Sequence, residues 1–178
     1  MFLQRVIGVL KLDVNTYEEI EADQSATTQA ALVVAIVAIL GGLLAGGASA
    51  IFGGNFLGVF IRQLLTVFIG WFIWAYVTFF VGTSFFEGKS TPQEMLRVLG
   101  FAQAPAILAI IPVCGPFVGW IWTLACSFIA IRQGLDLDNT KALLTAIVAF
   151  IAVIIVYFII GAILGVIGIG AGVVGGLI

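Results

Sequence analysis

Arg62 is the one charged residue well inside a long apolar stretch of this chain. Asn55, Arg62, Thr66 and Gly70 follow at intervals of seven, four and four, which puts them on one face of a helix. Gln63 and Trp74 flank that face, while Leu64, Leu65, Phe68, Phe72, Ala75 and Phe79 cover the opposite side. An arginine at the bilayer centre costs about 2.5–3.5 kcal/mol on insertion scales. Near the outer end of a span it can instead snorkel to the surface, and elsewhere it needs a structural partner or a polar cavity. The cavity reading gives the chemistry of a path for a small solute or ion. The wheel favours turning the polar face into a bundle, because unsatisfied polar groups in hydrocarbon are costly.

Pro105 is the second feature of this kind. It has no N–H to give to the carbonyl of Phe101, and Gln103 sits beside the resulting gap. The pair reads as a static kink, or as a hinge or wet spot where the freed carbonyl binds something. Other chemistry is sparse. There is no histidine, the commonest metal ligand and general base. Cys114 and Cys126 cannot make a metal site alone, and in one helix they lie about 18 Å apart, too far for a disulfide. No Asp or Glu lies well inside an apolar stretch, so intramembrane hydrolysis lacks its acids. Phosphate loops and dinucleotide fingerprints are absent. The expectation is a non-enzymatic protein with no cofactor and, lacking a basic run, no nucleic-acid partner.

These residues must be positioned by a membrane bundle. Of 178 residues, 62% are hydrophobic and 9% charged, with mean hydropathy +1.26; a soluble domain carries about 25% charged residues. Such a surface would aggregate in water, whereas lipid tails solvate it directly. Residues 1–178 read as one domain. Its first 26 residues form a cytoplasmic segment, and spans follow at about 27–46, 56–82, 94–111, 116–133 and 140–168. The start is not a signal peptide, because Arg5, Lys11 and Asp13 interrupt it and no small-residue cleavage site follows. Gln4, Gly8, Lys11 and Asn15 form a polar stripe against Phe2, Leu3, Val6, Ile7, Val9 and Leu10, which suits a short helix in the membrane interface.

Caps mark the boundaries. Thr16 and Glu19 make a capping box, so a helix can start at Thr16. Thr91, Pro92 and Glu94 are a stronger start, and Asp138 suits the N-cap of the last span. Pro112-Val113-Cys114-Gly115-Pro116 breaks the apolar run between the third and fourth spans. Eighteen residues rise about 27 Å against a core of about 30 Å, so this pair either crosses or re-enters as a hairpin. With five spans, six of the seven basic residues (all but Arg62) share one side. That side is cytoplasmic by the positive-inside rule, which puts the N-terminus inside and the C-terminus outside. A re-entrant hairpin preserves the same pattern.

The last span carries a small-residue seam through Ala142, Ala146, Val153, Tyr157, Gly161, Gly165, Gly168 and Gly172. Gly42/Gly46, Gly54/Gly58 and Gly115/Gly119 repeat the small-xxx-small spacing, which lets helices approach closely. Together they argue for a tight bundle and for self-association as a possible partner mode beside the lipid bilayer.

The stretch Met95 to Pro112, MLRVLGFAQAPAILAIIP, resembles the signature region of the Yip1 domain family. Leu96 to Pro105 holds its Leu-Arg-Val-Leu-Gly-aromatic-Ala-x-Ala-Pro order. Ile131 to Ala146 is similar to the family's loop into its last helix, and Tyr17-Glu-Glu-Ile to its opening before the first span. The resemblance implies a five-helix membrane protein with a cytoplasmic N-terminus. Eukaryotic members act in ER–Golgi traffic and bind Rab-type GTPases. This sequence has only about twenty-six residues before the first span and no Asp-Leu-Tyr-Gly-Pro motif, so Rab binding is not carried over. It looks like the shorter prokaryotic members, which implies the prokaryotic cytoplasmic membrane.

The expectation is thus an all-α, polytopic membrane helix bundle with five transmembrane helices and a short N-terminal interfacial helix. Its expected role is that of a membrane organiser or adaptor. The alternative is a small-solute or ion transporter or channel using the polar face around Arg62.

Overall fold

The two helices that open the chain do not lie apart from the bundle; they are folded onto it. The computed structural model describes residues 1–166. In order, it has α1 (Phe2–Leu10), α2 (Val14–Ala22), α3 (Ala26–Ile51), α4 (Phe56–Phe85), α5 (Pro92–Phe101), a 3-10 segment (Ala104–Ile110), α6 (Gly115–Gly134) and α7 (Asn139–Val166).

Helix starts follow local chemistry. Asn55 caps α4 by accepting from the Gly58 amide at 3.1 Å. Thr91 and Glu94 form a full capping box on α5, with Pro92 in its first turn. Asp138 accepts from the amides of Thr140 and Lys141 at the start of α7. The box expected at Thr16 does not form. The helix begins two residues earlier, with Asp13 at its N-cap, and the Thr16 hydroxyl donates to the Asp13 carboxylate instead at 2.7 Å. The acidic helix also stops at Ala22, and the Asp23 carboxylate accepts from the Ser25 amide and hydroxyl before α3 begins.

Among the described residues, four helices are long and apolar enough to cross a membrane: Ala26–Ile51, Phe56–Phe85, Gly115–Gly134 and Asn139–Ile163. The continuous third span expected over 94–111 is not there. Helix α5 ends at Phe101, and the chain resumes at Ala104 as 3-10. Proline at 105 denies the α-ladder a donor, and the tighter i→i+3 pattern takes over. Five-span continuity is therefore replaced by four long helices plus a broken element.

Close approach is set by glycines facing bulk. A Cβ at Gly42 would sit 2.8 Å from the Phe60 ring, and one at Gly46 would sit 2.9 Å from the Phe56 ring, so α3 and α4 pack through that pair. Gly119 likewise faces the Pro105 carbonyl, where a Cβ would stand 2.9 Å away, seating α6 on the 3-10 segment. The core runs from Val9, Tyr17 and Ile20 through Ala30, Val34 and Trp71 to Met95, Leu99, Phe101, Ala130 and Ile131. The first two helices are thus part of the core.

Candidate functional site

The polar face of α4 divides in the structure. Gln63, Thr66 and Gly70 line an open groove of ≈ 370 Å³ together with Gln103, between α3, α4 and the 3-10 segment. The residue beside the proline break and three residues of the polar face thus come to one place, a convergence that neither feature alone indicates. Gln63 lies over Gly41, where a Cβ would stand 3.5 Å from its Nε2. A Cβ on Gly70 would stand 3.1 Å from the Tyr157 hydroxyl of α7. Trp71 closes the inner wall, held by its indole N–H donating to the Leu96 carbonyl at 3.1 Å.

Other residues of that face are placed differently. Asn55 is spent on its cap. Arg62 is exposed, lies outside the groove lining, and makes no ion pair or hydrogen bond among the described residues. Nor is the opposite side uniformly turned to lipid: Ala75 is fully buried, and Phe68 and Phe79 pack against the core. Leu65 and Phe72 stay exposed. Helix α4 is therefore gripped on more sides than its wheel suggests. Pro105 is buried, with its carbonyl against Gly119. On α7, a Cβ at Gly161 meets nothing within 4 Å, so that end of the seam packs against no other part of the described chain. Gly165 belongs to the last turns of α7, and Gly168 lies outside the described residues.

A second arrangement was not visible in the sequence as a site. Arg5 is 3% exposed although it sits on a nine-residue helix at the edge of the fold. Its guanidinium donates to Glu19 at 2.9 Å, to Asp23 at 2.6 Å and to Gln29 at 3.1 Å, tying α1 to α2 and α3. Arg97 is 5% exposed and donates through Nε to the carbonyls of Ile20 at 3.2 Å and Glu21 at 3.0 Å. Its Nη2 also bonds the Glu21 carbonyl. These are the free carbonyls at the end of α2, where a cation also meets the negative end of the helix dipole. Charge patterning assigned both arginines to a cytoplasmic side but could not show that they are buried clamps.

The signature stretch now has a physical reading. Leu96 offers its carbonyl to Trp71, Arg97 caps α2, and Gly100 lets Ala30 and Trp71 approach to 2.8 and 3.1 Å of where a Cβ would be. Every residue from Met95 to Ala102 is buried.

Carboxylates around the clamp are pushed apart. The Asp23 carboxyl is held down at about 2, first by its hydrogen bond from Arg5 and then by those from Ser25. Burial pushes Glu21 up to about 7, and the Asp136 and Glu94 carboxylates add to this while Arg97 opposes it. Among the described residues no group of three or more His, Cys, Asp or Glu side chains is placed to hold a metal.

The fold and its apolar helices define an integral membrane helix bundle. The family model of the Yip1 domain matches residues 7–163, so the chain belongs to the Yip1 domain family. No curated protein and no solved structure gives a match to it.

Proposed function

We propose that this protein is a non-enzymatic membrane organiser that acts through its clamped N-terminal hairpin. The observation that carries the reading is the two-sided apolar character of α1. Phe2 and Val9 face the core, with the Phe2 ring 6.2 Å from that of Phe101, while Met1, Leu3 and Ile7 are 82%, 70% and 50% exposed. Lys11 and Gln4 are exposed alongside them. An apolar edge rimmed by polar groups and fixed to the bundle by Arg5 suits shallow insertion among lipid headgroups, where it would spread one leaflet. The reading keeps the N-terminus cytoplasmic and the C-terminus outside, which the distribution of basic residues supports. It takes α5 with the 3-10 segment as a third crossing; their combined rise, about 29 Å, is close to the core thickness.

The test is vesicle shape. The purified chain, reconstituted into large vesicles, should narrow or tubulate them by cryo-microscopy. A Leu3→Ser, Ile7→Ser double variant should leave them round at equal protein content. Unchanged vesicles with the wild-type chain would remove the organiser reading.

The groove favours a second reading, a path for a small solute or ion. Single cysteines at Arg62, Thr66, Gly70 and Phe68, with Cys114 and Cys126 replaced, separate the two. Labelling at 66 or 70 but not 68 by an impermeant thiol reagent supports the path. Labelling at 62 alone supports a surface anchor and leaves the organiser reading in place.

A further inference from the structure

We infer that the groove between α3, α4 and the 3-10 segment is a binding site for a membrane-dissolved amphiphile with an uncharged, hydrogen-bonding head, such as a hydroxyl-bearing diacyl lipid. The inference goes beyond the organiser reading and does not depend on it.

Three observations converge. First, the groove gathers the carboxamides of Gln63 and Gln103 and the hydroxyl of Thr66. None of the three side chains makes a hydrogen bond to protein among the described residues, and a carboxamide, unlike the similarly unpaired hydroxyls of Thr78, Thr123 and Thr145, carries both an acceptor and two donors to satisfy. Polar groups at membrane depth need partners, because hydrocarbon offers none. The described residues supply no such partner, and a ligand can. Second, among the described residues no charged side chain lines the groove, and Arg62, one residue from Gln63, stands outside it. An ionic headgroup placed here would lose its hydration without a counter-charge, so the chemistry selects a neutral head. A carboxamide both donates and accepts, as does a hydroxyl, so the three groups complement an alcohol or amide.

Third, the access is apolar. The exposed members of the lining, Leu44, Thr66 and Ile110, mark the mouth, and Leu43, Leu65, Ile69 and Ile111 around them are exposed apolar residues of the spans and hairpin. An acyl chain can lie along that surface while the head turns inward. The volume, ≈ 370 Å³, is in the range of small-molecule sites and takes a glycerol-sized head with its first methylenes. Gly41 and Gly70 keep the space open on both long helices.

The experiment uses the full chain in phosphatidylcholine vesicles. Two photoactivatable probes carry the same diazirine acyl chain: a diacylglycerol with a free hydroxyl and a phosphatidylglycerol with a charged phosphate. Adducts are mapped by peptide mass spectrometry. The diacylglycerol should label residues 63–71 or 103–110, and the charged probe should label them much less. In a Gln63→Leu, Gln103→Leu variant, labelling at these positions should fall about tenfold, as expected for two lost neutral hydrogen bonds. An Ile110→Trp variant keeps every polar group but obstructs the mouth, and should give the same loss. Thermal melts of each variant confirm that the bundle is retained. Equal labelling by both probes, undiminished labelling in the variants, or no adduct in the groove with a folded wild-type protein would each overturn the proposal. The last outcome means the groove holds only water.

Discussion

Arg97 reaches across 77 residues of sequence to give its Nε hydrogen to the carbonyl of Ile20 at 3.2 Å. That bond, with the companions to Glu21, completes the end of α2 using a side chain from near the start of the stretch that resembles the family signature. The helix ends without a glycine, at Asp23 in an extended conformation, so the arginine supplies what a C-terminal motif would otherwise provide.

Arg97→Leu should therefore destabilise the α1–α2 hairpin more than the spans. Loss of charge-assisted bonds to buried carbonyls costs about 2–4 kcal/mol. Hydrogen exchange should show amides of residues 14–22 losing protection while those of α3 and α4 keep theirs. Uniform loss across the bundle would contradict a local clamp.

Glu21 and Asp23 give the hairpin opposite pH responses. Glu21 has a folded pKa of about 7 against an ordinary 4.5, so the folded state holds the extra proton. Stability therefore falls as pH rises from about 4.5 through 7. Asp23 lies at about 2 against 3.8, so its contribution is present above 3.8 and is lost as pH falls towards 2. Melting midpoints of the Glu21→Gln variant should be flat between pH 4.5 and 7, where those of the parent decline. A parent curve already flat there would sink the assignment.

Gly100 and Gly161 separate internal packing from association. A Cβ at Gly100 would press on Ala30 and Trp71, so Gly100→Val should cost about 1–3 kcal/mol by overpacking. Gly161 faces open space, so Gly161→Val should shift monomer stability by no more than about 0.5 kcal/mol. If α7 mediates self-association, the same Gly161→Val change should reduce energy transfer between labelled copies in vesicles. Unchanged transfer would put any interface elsewhere.

Trp71→Phe keeps an aromatic side chain but removes the indole N–H, and with it the bond that the buried Leu96 carbonyl accepts across the helix interface. A loss of about 1–2 kcal/mol in thermal unfolding is expected.

What the sequence revealed tracks the range of the interactions. The starts at Thr91 and Asp138 were legible because a cap acts within three residues, whereas Asn55, read as part of a polar helix face, is the cap of α4. The long apolar helices were legible from length and composition. The break at Phe101 was half legible: Pro105 announced a disturbance, but whether a helix bends or changes type depends on what packs on it, here Gly119 of α6. The burial of Arg5 and Arg97 was not legible, because each depends on partners 14 to 77 residues away. The groove was divided between two features, the face of α4 and the residue beside the proline, and only the fold brings Gln63 and Gln103 together.

The 77-residue reach of Arg97 also fixes an order of events during synthesis. At roughly 5–20 residues per second, the ribosome needs about 4–15 s after making Ile20 to reach Arg97, and longer to clear it from the exit tunnel. Through that interval α3 and α4 can enter the membrane while α2 still lacks its cap and the core has no Met95, Leu99 or Phe101 to cover Tyr17. The nascent N-terminal segment must therefore wait at the bilayer surface, accessible to insertion factors and quality-control proteases, until the signature helix arrives. A ribosome stalled far enough beyond α4 to release that helix from the exit tunnel, but with Arg97 still inside it, would hold the chain in that state, with its first two helices cleavable and its first two spans already protected.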